Sequence, residues 1–118
     1  MTLQEYYTNV GGEYSEIIER LYTDERIIKY LNLFFSGDDL TLLQNAWNDQ
    51  NGEKIFQISH RIKGGAINIE LKSIYSYASQ LTEAYRNGNI PDKNLAQELY
   101  INICSEYTKA KSLLSKIG

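Results

Sequence analysis

The sequence predicts an all-α protein: an antiparallel four-helix bundle over about residues 38–117, with additional helices on its N-terminal side. Three observations point there. A single proline interrupts 118 residues. Apolar residues recur at three- and four-residue spacing and do not alternate. The breaks between these periodic stretches are short, which sets consecutive long helices antiparallel. With no interior linker, low-complexity tract or repeat, residues 1–118 read as one domain, long enough to fold without metal or disulfide staples.

Leu3, Tyr6 and Tyr7 suit a short first helix that stops near Gly11-Gly12, and Tyr14, Ile17, Ile18 and Leu21 a second. Thr23 can cap a third, with Asp24 and Glu25 favoured by the helix dipole in its first turn. Its buried stripe is Ile27, Ile28, Leu31, Phe34 and Phe35, and Gly37 ends it. Asp38 or Asp39 restarts the chain, and Leu40, Leu43 and Trp47 line one face of the next helix. Asn51-Gly52 is a break before a longer helix that carries His60. A weaker break near Glu70 precedes a stripe at Leu71, Ile74, Ala78, Leu81 and Tyr85, which Asn87-Gly88-Asn89 ends. Pro91 suits the first turn of a final helix that buries Leu95, Leu99, Ile103, Tyr107, Ala110 and Leu114.

Composition excludes several classes. The formal net charge is −3, with 12 Lys+Arg against 15 Asp+Glu and no basic block, so no electrostatic grip on nucleic acid or anionic lipid is expected. Residues 1–5 lack the basic and apolar regions of a signal peptide, and no apolar run reaches the roughly 18 residues that span a bilayer. The single cysteine, Cys104, cannot close an internal disulfide. A cytoplasmic location is expected. The initiating Met and the full final helix favour a free-standing protein over an excised domain.

The informative stretch is Ile55 to Ile69. At about 100° per residue, Ile55, Ile58, Ile62, Ala66 and Ile69 share one narrow arc, which must face the core. His60, the only histidine, projects roughly 160° away from that arc and so points outward. Phe56 and Gln57 lie one turn before it, Lys63 and Gly64 one turn after, and Ile67 two turns after. Two large apolar residues around an exposed histidine suit a docking site better than a solvated face. Gly64 costs about 1 kcal/mol against alanine inside a helix, and clearance beside the ring would justify it. Lys63 can offset negative charge attached to the ring. Imidazole in water titrates at roughly 6.5, so near neutral pH much of it is an uncharged nucleophile able to take phosphorus as a phosphoramidate. Phosphoryl transfer also needs charge stabilisation. The chain has no Walker-type glycine loop and no carboxylate cluster near His60, and no metal-binding residues are assigned. A partner must therefore bring the metal and most of the catalysis.

The segment ISHRIKGGAINIELKSIYSYASQLTEAYRNG (residues 58–88) resembles the histidine-containing phosphotransfer (HPt) domain of multistep phosphorelays. His60, Ile62, Lys63, Gly64, Gly65, Ala66 and Ile69 match the family's H-x-[LI]-K-G-[SG]-[SA]-x-x-[LI]-G pattern, and Leu71, Ile74, Leu81, Arg86 and Gly88 its second helix. The resemblance covers about residues 38–115. It implies that His60 accepts a phosphoryl group at Nε2 from a receiver domain's aspartyl phosphate and passes it to another. It also implies that Lys63 supports the phosphorylated state and that Gly64 keeps the site open. Phe56, Gln57, Arg61 and Ile67 would serve docking, with Arg61 steering an acidic receiver surface. The implied partners are response-regulator receiver domains and a hybrid sensor histidine kinase. The chain itself would bind no cofactor, with Mg²⁺ on the receiver, and would have no catalytic turnover of its own. Two departures stand out. Glu70 occupies a usual glycine and is expected to alter the turn. Thr82 replaces a common Glu or Gln and would reach the imidazole only through a short hydroxyl. Arg86 reads as solvated.

An adaptor or kinase-regulatory module using the same surface without being phosphorylated is the alternative. The phosphotransfer module of a chemotaxis-type kinase is a weaker one, since it needs an ATP-binding domain that these residues do not contain.

Overall fold

A computed structural model describes residues Met1–Gly118. It has seven α-helices and no strand: α1 (Leu3–Asn9), α2 (Tyr14–Leu21), α3 (Asp24–Ser36), α4 (Asp39–Asn48), α5 (Gly52–Asn68), α6 (Lys72–Ala84) and α7 (Lys93–Leu114). A short 3₁₀ turn, Arg86–Gly88, follows α6. Four of the helices, α1, α3, α5 and α7, start where a side chain satisfies a free N–H group. Thr2 and Glu5 form a capping box on α1, Thr23 accepts from Arg26 N–H, Asn51 from Lys54 N–H, and Asp92 from Leu95 N–H.

Helices α4 to α7 make the bundle. α5 packs between α4 and α6, and α6 between α5 and α7. Trp47 of α4 stacks on Tyr100 of α7 with ring centroids 4.6 Å apart, so α7 closes the square diagonally opposite α5. Ile55, Ile58, Ile62 and Ala66 face the core, meeting Leu43 and Ala46 of α4, Ile74, Ala78 and Leu81 of α6, and Ile103 of α7. The arc read from the sequence is the buried one.

Three readings of the closing helix need correction. Leu95 is 52% exposed, and the buried stripe runs through Ala96, Leu99, Ile103, Tyr107 and Ala110. Pro91 lies before the helix, because Asp92 is the cap. That start puts Leu95 in the first turn, one position away from the inward face. Leu114, in the last turn, is only partly buried.

The N-terminal helices close one end of the bundle. Tyr6 and Tyr7 are fully buried and end on backbone carbonyls, Tyr6 on Ala110 and Tyr7 on Ile69, each at 2.9 Å. Burial pushes both phenols well above their ordinary range. Phe34 and Phe35 of α3 cluster with Tyr107 of α7.

The α5–α6 turn is built around Glu70. That residue adopts the left-handed backbone itself, at φ 60°, while Leu71 N–H returns to the Ala66 carbonyl at 2.9 Å. Its carboxylate is buried and pairs with Arg20 of α2 at 2.7 Å and, more loosely, with Lys72 at 3.7 Å. A tertiary ion pair helps hold a conformation that costs a non-glycine residue roughly 1–2 kcal/mol.

Candidate functional site

His60 sits at the middle of α5 and is exposed. Its ring lies nearly parallel to that of Phe56 one turn earlier, 11° apart in orientation with centroids 6.1 Å apart. The Arg86 guanidinium stands 5.3 Å from the Phe56 ring centroid, within the range of a cation–π contact. Arg86 is held in place by Glu83, which accepts two hydrogen bonds from it, at 2.7 and 2.9 Å. Imidazole, phenyl and guanidinium thus form three tiers on the α5–α6 hairpin.

Those two hydrogen bonds hold the Glu83 carboxyl below the usual carboxylate range, against an opposing desolvation. The charge of Arg86, and then those of Lys63 and His60, lower it further. Glu83 therefore stays ionised through neutral pH and lies within the electrostatic reach of the histidine. Lys63 is half-buried and joins no ion pair, so its ammonium is free to meet an added charge.

The two glycines after Lys63 have different roles. A Cβ on Gly64 would meet nothing within 4 Å, so the space beside His60 is open. A Cβ on Gly65 would come within 2.9 Å of the Phe34 ring. Gly65 therefore lets α3 approach α5, and α3 stops short of the His60 face. Phe56 and Ile67 are half-buried and neither joins the hydrophobic core. Gln57 and Arg61 are exposed on the α4 side.

Two expectations change. Thr82 does not reach the imidazole: it is fully buried, donates to the Ala78 carbonyl at 2.7 Å and lies 3.1 Å from Ser59 Oγ, which donates to the Ile55 carbonyl at 2.6 Å. A hydroxyl taken out of water is held by the nearest acceptors, and α6 turns Thr82 toward the α5 seam. Arg61 is not free to steer a partner alone, because Asp39 of α4 binds its guanidinium at 2.7 Å.

Sequence reading missed Glu83 and Arg86 as a unit. Their three-residue spacing at the end of a helix was a visible ion-pair signal. What it did not reveal is that α6 lays the guanidinium across an α5 ring.

A model of the Hpt domain family matches residues 31–111. This chain belongs to the Hpt domain family. The match takes in α4, α5, α6 and nearly all of α7, together with the second half of α3. No curated protein and no solved structure gives a significant match. Hpt domains are histidine phosphotransfer carriers in phosphorelays and interact with receiver domains of two-component systems, which gives this chain its class of activity and of partner. No helix is long and apolar enough to cross a membrane.

Proposed function

We propose that His60 is the residue that carries the phosphoryl group, taking it from the aspartyl phosphate of one receiver domain and giving it to another. One observation carries the reading: an Hpt domain acts through a histidine, and this chain has one, exposed at the centre of its central hairpin.

In the forward step the Nε2 lone pair attacks phosphorus and an N–P bond forms. The O–P bond to the receiver's aspartate breaks with its electron pair, leaving a free carboxylate. The proton on Nδ1 stays on the ring, which can then release it to water. The reverse sequence loads the second receiver. In-line approach needs room at phosphorus and at the ring, and the vacancy beside Gly64 supplies it. Lys63, unpaired before the reaction, offsets the new charge. A receiver domain would hold Mg²⁺, which would supply charge neutralisation at the phosphoryl oxygens. Phe56 and Ile67, apolar and outside the core, give the receiver a landing surface, with Gln57 and Arg61 along its edge. A hybrid sensor kinase is the source of the phosphorylated receiver.

The test is direct. Incubated with a phosphorylated receiver domain and Mg²⁺, the protein gains an acid-labile, alkali-stable phosphate, and His60→Gln, which changes only an exposed side chain, abolishes it. Equal labelling of the variant would show that another residue is the acceptor. A folded parent that never labels while still binding receivers would be an adaptor.

A further inference from the structure

We propose that the cleft at the N-terminal end of α5 is an anchor pocket for the docked receiver domain, accepting one apolar side chain of that partner beside Ile90. The proposal rests on His60 being the phosphoacceptor and adds where the partner is gripped.

The cleft holds about 740 Å³ and lies between the start of α5 and the segment joining α6 to α7. Phe56, Tyr85, Ile90 and Pro91 supply its apolar lining, and Glu53 and Lys93 put opposite charges on its rim. With no net charge to attract an ion, such a site suits an uncharged apolar group. Ile90 is 95% exposed, more than any other large apolar side chain in the chain. Consecutive left-handed residues, Asn87 at φ 57° and Gly88 at φ 75°, turn the segment that carries it.

The occupant follows from continuity. Phe56 belongs both to the cleft and to the stack on His60. At about 1.5 Å per residue, Phe56 lies roughly 6 Å and Gly52 roughly 12 Å along α5 from His60. A specific interface covers about 800 Å² of each partner, a disc roughly 16 Å in radius. A receiver centred on His60, as in-line transfer requires, therefore reaches over this cleft. Energy in such interfaces concentrates where a buried side chain fills a pocket, and this cleft with its bare isoleucine is the place on that side of the ring built to receive one.

The experiment uses the full chain and a phosphorylated receiver domain that labels it. Ile90→Asp raises the KM for the receiver about tenfold or more and leaves kcat unchanged, and Ile90→Ala gives a smaller rise in the same direction. Labelling by phosphoramidate, a small donor that needs no docking, stays at the parent rate in both. Ile101→Asp, on the outer side of the diagonally opposite helix, leaves the KM unchanged. A KM within twofold of the parent for Ile90→Asp overturns the proposal. So does a parent dimer in sedimentation that Ile90→Asp dissociates, which would make the cleft a contact between two copies of this chain. Phosphoramidate labelling that persists in His60→Gln would instead remove the underlying assignment of the phosphoacceptor.

Discussion

Helix α6 is bounded by two turns built on the same backbone device and used in opposite ways. At one end Glu70 takes a left-handed conformation, and at the other Asn87 and Gly88 do. The first turn is covered: Tyr7 bonds to the Ile69 carbonyl, Ser73 N–H to the Val10 carbonyl, and Arg20 to the Glu70 carboxylate. The second is bare, with Asn87, Gly88, Asn89 and Ile90 all exposed. The difference teaches that the N-terminal helices stabilise the end of the hairpin remote from Phe56 and leave the other end free for a partner. Local conformation is alike at both turns, and tertiary contact decides which end stabilises the fold.

Three substitutions probe that contrast, beginning with the largest effect. Gly12→Ala puts a methyl group against the Glu70 carbonyl oxygen and the Tyr7 ring. Neither moves cheaply, so the cost is about 2–3 kcal/mol, read as a fall in the denaturation midpoint. A melt equal to the parent would mean that α1 and α2 do not clamp the turn. Gly88→Ala meets no neighbour and costs only the strain of a Cβ in a left-handed backbone, about 1 kcal/mol. A loss as large as at Gly12 would reveal packing at the supposedly bare end. Glu70→Gly relieves left-handed strain of about 1 kcal/mol and removes the link to Arg20, whose side chain is 46% exposed and can return to water. The two effects offset, and stability by chemical denaturation changes by less than about 1 kcal/mol. A loss of several kcal/mol would make this ion pair the principal tie between the N-terminal helices and the bundle.

Much of the bundle was legible because its signals are periodic. Ile55, Ile58, Ile62 and Ala66 repeat on one side of a helix, and no later contact could turn His60 inward without exposing them. The cap at Thr23 and the breaks at Gly37 and Asn51-Gly52 were legible because caps and stops act within one turn of chain. The misreadings share one cause: they depend on which neighbour arrives across space. Leu95 and Ala96 are adjacent in sequence, and the start of the helix at Asp92 decides which of them is buried. Thr82 had a plausible reach to the histidine until burial turned its hydroxyl onto the Ala78 carbonyl. Arg86 looked solvated because nothing in α6 announces a phenyl ring on α5. Gly64 and Gly65 look alike in sequence and are separated only by the arrival of Phe34. The candidate site was therefore visible in its nucleophile and its clearance, and hidden in the residues that brace it.

The chain's one indole, Trp47, is stacked against Tyr100 on the seam between α4 and α7, away from the histidine. Its fluorescence consequently reports the integrity of the bundle and is shielded from events at the imidazole. Loss of phosphoryl transfer can thus be separated from loss of structure in one untagged sample, with no dye or engineered tryptophan.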